Sequence, residues 1–103
     1  MKVLTEGHKY IAHNFEDKEK GQTIQFIEKI PKHEGSNEFL TLNDGTTNEE
    51  ILEILIDRVS VLNKKFPCRE NSLAVTNMEQ ALMWLEKRTR DRLKRKVEGK
   101  HSA

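Results

Sequence analysis

The sequence predicts an all-α protein: an antiparallel two-helix hairpin plus a short N-terminal helix, assembling into a compact homo-oligomer. Three observations carry the prediction. Apolar residues recur at helical spacing through residues 51–66, they do so again through 73–97, and only a short proline-bearing turn separates the two stretches. At 103 residues, 35% hydrophobic and 34% charged, the chain suffices for one domain with a thin core, so extra burial by self-association is expected. That single domain, 1–103, divides into an N-terminal segment 1–46, the hairpin 47–97 and a tail 98–103.

The elements are justified in chain order. Residues 1–20 are polar and mixed in charge, and Tyr10, Ile11 and Phe15 are their main apolar anchors. Residues 21–30, GQTIQFIEKI, place Ile24, Ile27 and Ile30 three apart, which favours one or two turns of amphipathic helix. The alternation of Ile24 and Phe26 leaves a strand as the alternative, and Pro31 ends the element either way. Residues 31–46 read as a loop rich in Gly, Asn and Ser, with one short extended stretch through Phe39, Leu40 and Leu42.

Thr47-Asn48-Glu49-Glu50 then matches a T-x-x-E capping box, with acidic residues at the positive helix end. Ile51, Leu52, Leu55, Val59, Leu62 and Phe66 follow at helical spacing, and Ile54, Ile56 and Val61 widen the apolar surface toward a second partner. Pro67 closes this arm. The second arm begins near Arg69, runs through Ala74, Met78, Ala81 and Leu85, is broadened by Leu73, Leu82, Met83 and Trp84, and is expected to stop at Gly99.

Charge is unevenly spread. Residues 1–60 carry −5 and residues 61–103 carry +6, for a net +1. Such polarity suits either head-to-tail packing of protomers, an anionic ligand near the C-terminal half, or simple attraction between the arms. Residues 86–100, EKRTRDRLKRKVEGK, could neutralise phosphates or form an ordinary solvated helix end. No reading element for extended nucleic acid accompanies them.

Other constellations argue for binding over catalysis. The four histidines have no metal-ligand spacing. Cys68, the single cysteine, reads as a small buried residue of a reducing compartment. Glu49, Glu50, Glu53 and Asp57 match a helix start and a solvated face better than an acid–base pair. No apolar run reaches the roughly 20 residues of a membrane span, and no signal peptide is evident. No enzyme, metal, cofactor or membrane association is expected.

The elements DGTTNEE, LIDR, KFPCREN and ALMWLEKRT, between Asp44 and Arg95, resemble the hairpin domain of phage anti-defence sponges. The N-terminal HKYIAHNFE and QFIEK resemble the phage anti-CBASS protein 2 family, and a related hairpin occurs in a Thoeris anti-defence sponge. The resemblance implies an all-helical homo-hexamer in the cytoplasm of the infected bacterial host. It would bind cyclic dinucleotides such as cGAMP, and cyclic trinucleotides at separate pockets, without cleaving them.

It also implies site residues. Tyr10, in the H-x-Y context of His8 and followed by Asn14, matches the base-stacking tyrosine. Lys29 matches the phosphate-contacting lysine, with Lys32 as fallback. Val97, Gly99 and Lys100 correspond to the tail that closes over the ligand, with Lys100 where the family often has threonine. Arg69 and Asn77 are the candidates for the trinucleotide site. The alternative function is a small helical nucleic-acid-binding or adaptor protein that uses residues 86–100.

Overall fold

Five short strands precede the two helices, so the protein is α+β and the all-α expectation is corrected. The computed structural model describes residues 1–102, with side chains described as far as Arg95. The chain forms two compact units, Met1–Thr47 and Asn48–Ala103.

The first unit holds β1 (Lys2–Thr5), β2 (Lys9–His13), β3 (Gly21–Gln25), β4 (Glu28–Pro31) and β5 (Phe39–Asn43). β1, β2 and β3 form an antiparallel sheet in that order, and β4 and β5 form an antiparallel pair. The residues suit this: Val3, Thr5, Tyr10, Ile11, Thr23, Ile24, Ile30 and Thr41 are β-branched or aromatic. Gly7 adopts φ +76° in the β1–β2 turn, where His8 N–H donates to the Thr5 carbonyl at 3.0 Å.

The expected helix over 21–30 does not form. Gly21–Gln25 pairs residue for residue with β2, from His13↔Gly21 to Lys9↔Gln25. Pairing bonds the backbone groups of alternate residues along the strand to β2, whereas one isolated helical turn would leave most of its groups open. The stretch 31–46 is also less irregular than expected, since Pro31 and Phe39–Asn43 belong to the β4–β5 pair. The extended stretch through Phe39, Leu40 and Leu42 is β5.

One crossing ties the two sheets. Thr46 N–H donates to the Gln25 carbonyl at 2.8 Å, and Ile27 N–H donates to the Thr46 carbonyl at 2.9 Å. A side chain at Gly45 would run into the backbone of Gln25 and Phe26, so glycine is required for this approach.

The second unit is the predicted hairpin: α1 (Asn48–Lys65) and α2 (Arg69–Ser102). α1 starts immediately after Thr47, as the capping motif predicts. Half-buried Leu52, Ile56, Val59 and Asn63 face half-buried Ala74, Val75, Met78, Leu82 and Leu85, the three–four spacing of a hairpin seam. The seam is rotated from the expected stripe, because Leu55, Leu62, Phe66 and Ala81 are exposed. Asn63 fastens the turn: its Oδ1 accepts from Cys68 N–H at 3.0 Å and its Nδ2 donates to Ser72 Oγ at 3.1 Å. Cys68 is exposed, which corrects the buried reading. α2 runs through Gly99, since a glycine within a helix costs only about 1 kcal/mol.

Candidate functional site

The first unit concentrates the aromatic and polar groups suited to a planar ligand. In the β1–β2–β3 register, Val3 pairs with Tyr10 and Tyr10 with Ile24. Residues two apart on a strand share a face, so Tyr10, Ile24 and Phe26 converge. The Tyr10 and Phe26 rings meet edge to face, with centroids 5.9 Å apart and planes at 84°. Both are half-buried, so part of each ring remains accessible for stacking.

A polar cluster lies beside this pair. The Glu28 carboxylate, whose side chain is only 17% exposed, lies 3.9 Å from His8 Nδ1. Its Oε1 accepts from Asn43 Nδ2 at 3.1 Å. Gln25 Nε2 donates to the Phe26 carbonyl at 2.8 Å and to the His8 carbonyl at 3.4 Å. These bonds fix the start of β2 against the β3–β4 connection, and with it the Tyr10–Phe26 geometry.

The sequence-derived candidates fall in different places. His8 lies in the turn just before β2, and Tyr10 is the second residue of that strand. Lys29 is on β4, opposite Thr41; it is exposed and in no ion pair among the described residues. Asn14 sits beyond the far end of β2, about 13 Å along the chain from Tyr10 at strand rise. There it accepts from Gln22 Nε2 at 3.4 Å and holds the β2–β3 loop. Lys32 is paired to Glu38 at 3.4 Å. Arg69 and Asn77 both lie on α2, about 12 Å apart at helical rise. The side chains of Val97, Gly99 and Lys100 lie outside the described residues.

Sequence reasoning missed Phe26 and Glu28. The alternation of Ile24 and Phe26 was the available signal for the first. Nothing local signals the second, because its partners His8 and Asn43 are distant in sequence.

The hairpin offers two electrostatically opposite grooves. Between α1 and α2, Glu53, Asp57, Glu79 and Glu86 line a shallow apolar floor that includes Ile56, Leu82 and Met83. That groove repels anions. Farther along α2, Arg88, Lys94 and Arg95 surround Asp91 in a basic cleft. Lys87 Nζ bonds Asp91 Oδ2 at 2.8 Å, which holds the Asp91 carboxyl below its usual value. Among the described residues, no group of His, Cys, Asp and Glu could hold a metal ion. No described helix is long and apolar enough to cross a membrane.

An antiparallel sheet unit followed by a helical hairpin defines the class. The sequence profile of the Acb2/Tad1 hairpin domain matches residues 22–90, about two thirds of the chain, and the protein belongs to that family. It is 48% identical over 59 residues to "Thoeris anti-defense 1" of Bacillus phage SBSphiJ7. That stretch is 56% of this chain and 42% of the relative, so the chain spans less than half of the relative's length.

Proposed function

We propose that the protein is a phage-encoded sponge. It binds cyclic oligonucleotide second messengers and holds them uncleaved, so that a nucleotide-signalled host defence fails in the cytoplasm of the infected cell. The observation that carries this reading is the Tyr10–Phe26 pair in the same unit as Lys29, which forms no ion pair among the described residues, in a chain of the Acb2/Tad1 family. A ring stacks on a nucleobase at about 1–3 kcal/mol per base. A free ammonium pairs with a phosphate. Neither interaction consumes the ligand, and none of these groups is a nucleophile held by a base.

The finer assignment follows the resemblance. Tyr10 and Lys29 would take a cyclic dinucleotide such as cGAMP, with Val97, Gly99 and Lys100 closing over it. Arg69 and Asn77 would serve a separate trinucleotide pocket. The relative's name favours Thoeris as the defence countered, whereas the N-terminal resemblance favours CBASS.

Assembly into a homo-oligomer, with a hexamer as the specific form, supports a site shared between protomers.

The test is calorimetric titration with a panel of cyclic di- and trinucleotides, and with small-molecule filtrates of infected cells that carry CBASS or Thoeris. Binding by at least one, weakened about tenfold in Lys29→Gln, is expected; heat from none of them refutes the reading. The basic cleft of Arg88, Lys94 and Arg95 favours one rival, a nucleic-acid-binding module. That rival predicts retention on RNA or DNA that falls steeply with salt.

A further inference from the structure

The Glu28 carboxylate holds an acceptor that the fold does not use. Its side chain is only 17% exposed, and Oε1 accepts from Asn43 Nδ2 at 3.1 Å. Oε2 has no hydrogen-bond donor among the described residues. His8 Nδ1 lies 3.9 Å from it, too far for a hydrogen bond, and itself bonds the Glu6 carbonyl at 3.0 Å. A carbonyl only accepts, so Nδ1 spends its proton on Glu6. Nor is Oε2 sealed off: among the described residues no side-chain polar atom is both fully buried and unbonded. The oxygen is therefore sheltered but reachable.

It also lies on the aromatic face. Phe26 N–H donates to the His8 carbonyl at 2.7 Å, which carries the β2–β3 pairing one step past Lys9↔Gln25. His8 thus stands opposite Phe26, and His8 and Tyr10, two apart, share the face on which the Tyr10 and Phe26 rings meet. The carboxylate beside His8 is displaced from Tyr10 by about 7 Å, one two-residue step of a strand. A purine stacked on the ring pair spans that gap with one hydrogen bond from its edge.

We propose that Glu28 reads the Watson–Crick edge of a guanine stacked on the Tyr10–Phe26 pair, so that the site prefers cyclic dinucleotides containing guanine over those containing only adenine. An ionised carboxylate accepts and cannot donate, and it repels phosphate, so a nucleotide must meet it with a base edge that carries donors. Guanine sets N1–H and its N2 amino group side by side, which suits Oε2 and the lone pair that Asn43 leaves on Oε1. Adenine sets the N1 lone pair beside its N6 amino group, so one of the two contacts becomes repulsive. The inference rests on the sponge reading and adds a base preference to it.

Calorimetry on the full chain tests the reading, with wild type and E28Q titrated against cyclic di-GMP, cyclic di-AMP and cyclic di-IMP. Wild type should bind the guanine ring about tenfold more tightly than the adenine ring. The inosine ring lacks the N2 amino group and should bind more weakly than the guanine ring. Glutamine keeps an oxygen for Asn43 and adds an amide donor suited to adenine, so E28Q should remove or invert the preference with its circular dichroism unchanged. A merely structural Glu28 would lower both affinities together. Wild type without a guanine preference, or E28Q with the wild-type ratio, overturns the inference and spares the sponge. The inosine comparison needs no variant, so it decides the matter if E28Q fails to fold: equal affinity for the guanine and inosine rings overturns the inference. Binding of other cyclic nucleotides but of none of these three also overturns it and spares the sponge. No binding of any cyclic nucleotide refutes both.

Discussion

The sheet unit and the hairpin unit solve the problem of a thin core in opposite ways. The hairpin repeats one contact, a three–four seam of Leu52, Ile56 and Val59 against Val75, Met78 and Leu82, along a helix of 18 residues and one of 34. The sheet unit uses strands of four or five residues and depends on single crossings, above all Thr46 against Gln25. Redundant contacts tolerate change, while single crossings do not. The chemistry follows the same division. The aromatic pair and free lysine lie in the sheet unit, and the hairpin presents one acidic groove and one basic cleft.

The largest effect should come from the crossing. Gly45→Ala puts a methyl group into the Gln25 carbonyl, and should destabilise the sheet unit by about 3 kcal/mol. Amide exchange should rise across β1–β5 and stay slow along the hairpin seam; equal acceleration in both units would erase the contrast. Tyr10→Ala should weaken cyclic-nucleotide binding by about 2 kcal/mol, roughly thirtyfold, while the protein remains folded. Unchanged calorimetric affinity would remove the ring from the site.

Leu82→Ala should cost about 1.5 kcal/mol in urea denaturation, less than a fully buried leucine because its side chain is half-buried. Ligand affinity should be preserved at low denaturant, the mirror image of Tyr10→Ala. The smallest effect concerns Asp91, whose carboxyl is held below its usual value by the Lys87 hydrogen bond, with Lys87, Arg95 and Arg90 charges adding to it. A carboxyl with a lowered folded pKa stabilises above its unfolded value and loses that contribution as pH falls through the folded value. Carbon-detected NMR should therefore give Asp91 a midpoint below that of an ordinary aspartate, returning toward the ordinary value in Lys87→Met.

The two units also differ in how far they can be read from the chain. Thr47 before Glu50, Pro67 in the turn and eighteen residues of periodic apolar spacing make α1 legible, because each signal is local and repeated. Its orientation was less legible, since Ile54, Leu55 and Ile56 are all apolar and only packing decides which faces α2. In the sheet unit, a strand such as Lys2–Thr5 has too few positions to establish a period. Ile24, Ile27 and Ile30 mimic a helical face, and the pairing partner that overrides it lies in β2. The candidate site was legible to the same degree: Tyr10 and Lys29 are proposed from family resemblance, whereas the Phe26 ring becomes a partner of Tyr10 only once β2 and β3 align.

The central claim is capture without cleavage. Protein incubated with a cyclic-nucleotide panel, washed by filtration, unfolded and analysed by mass spectrometry tests it directly. Recovery of the retained nucleotide as an intact ring in stoichiometric amount is predicted. Linear products, or no nucleotide retained, would contradict it.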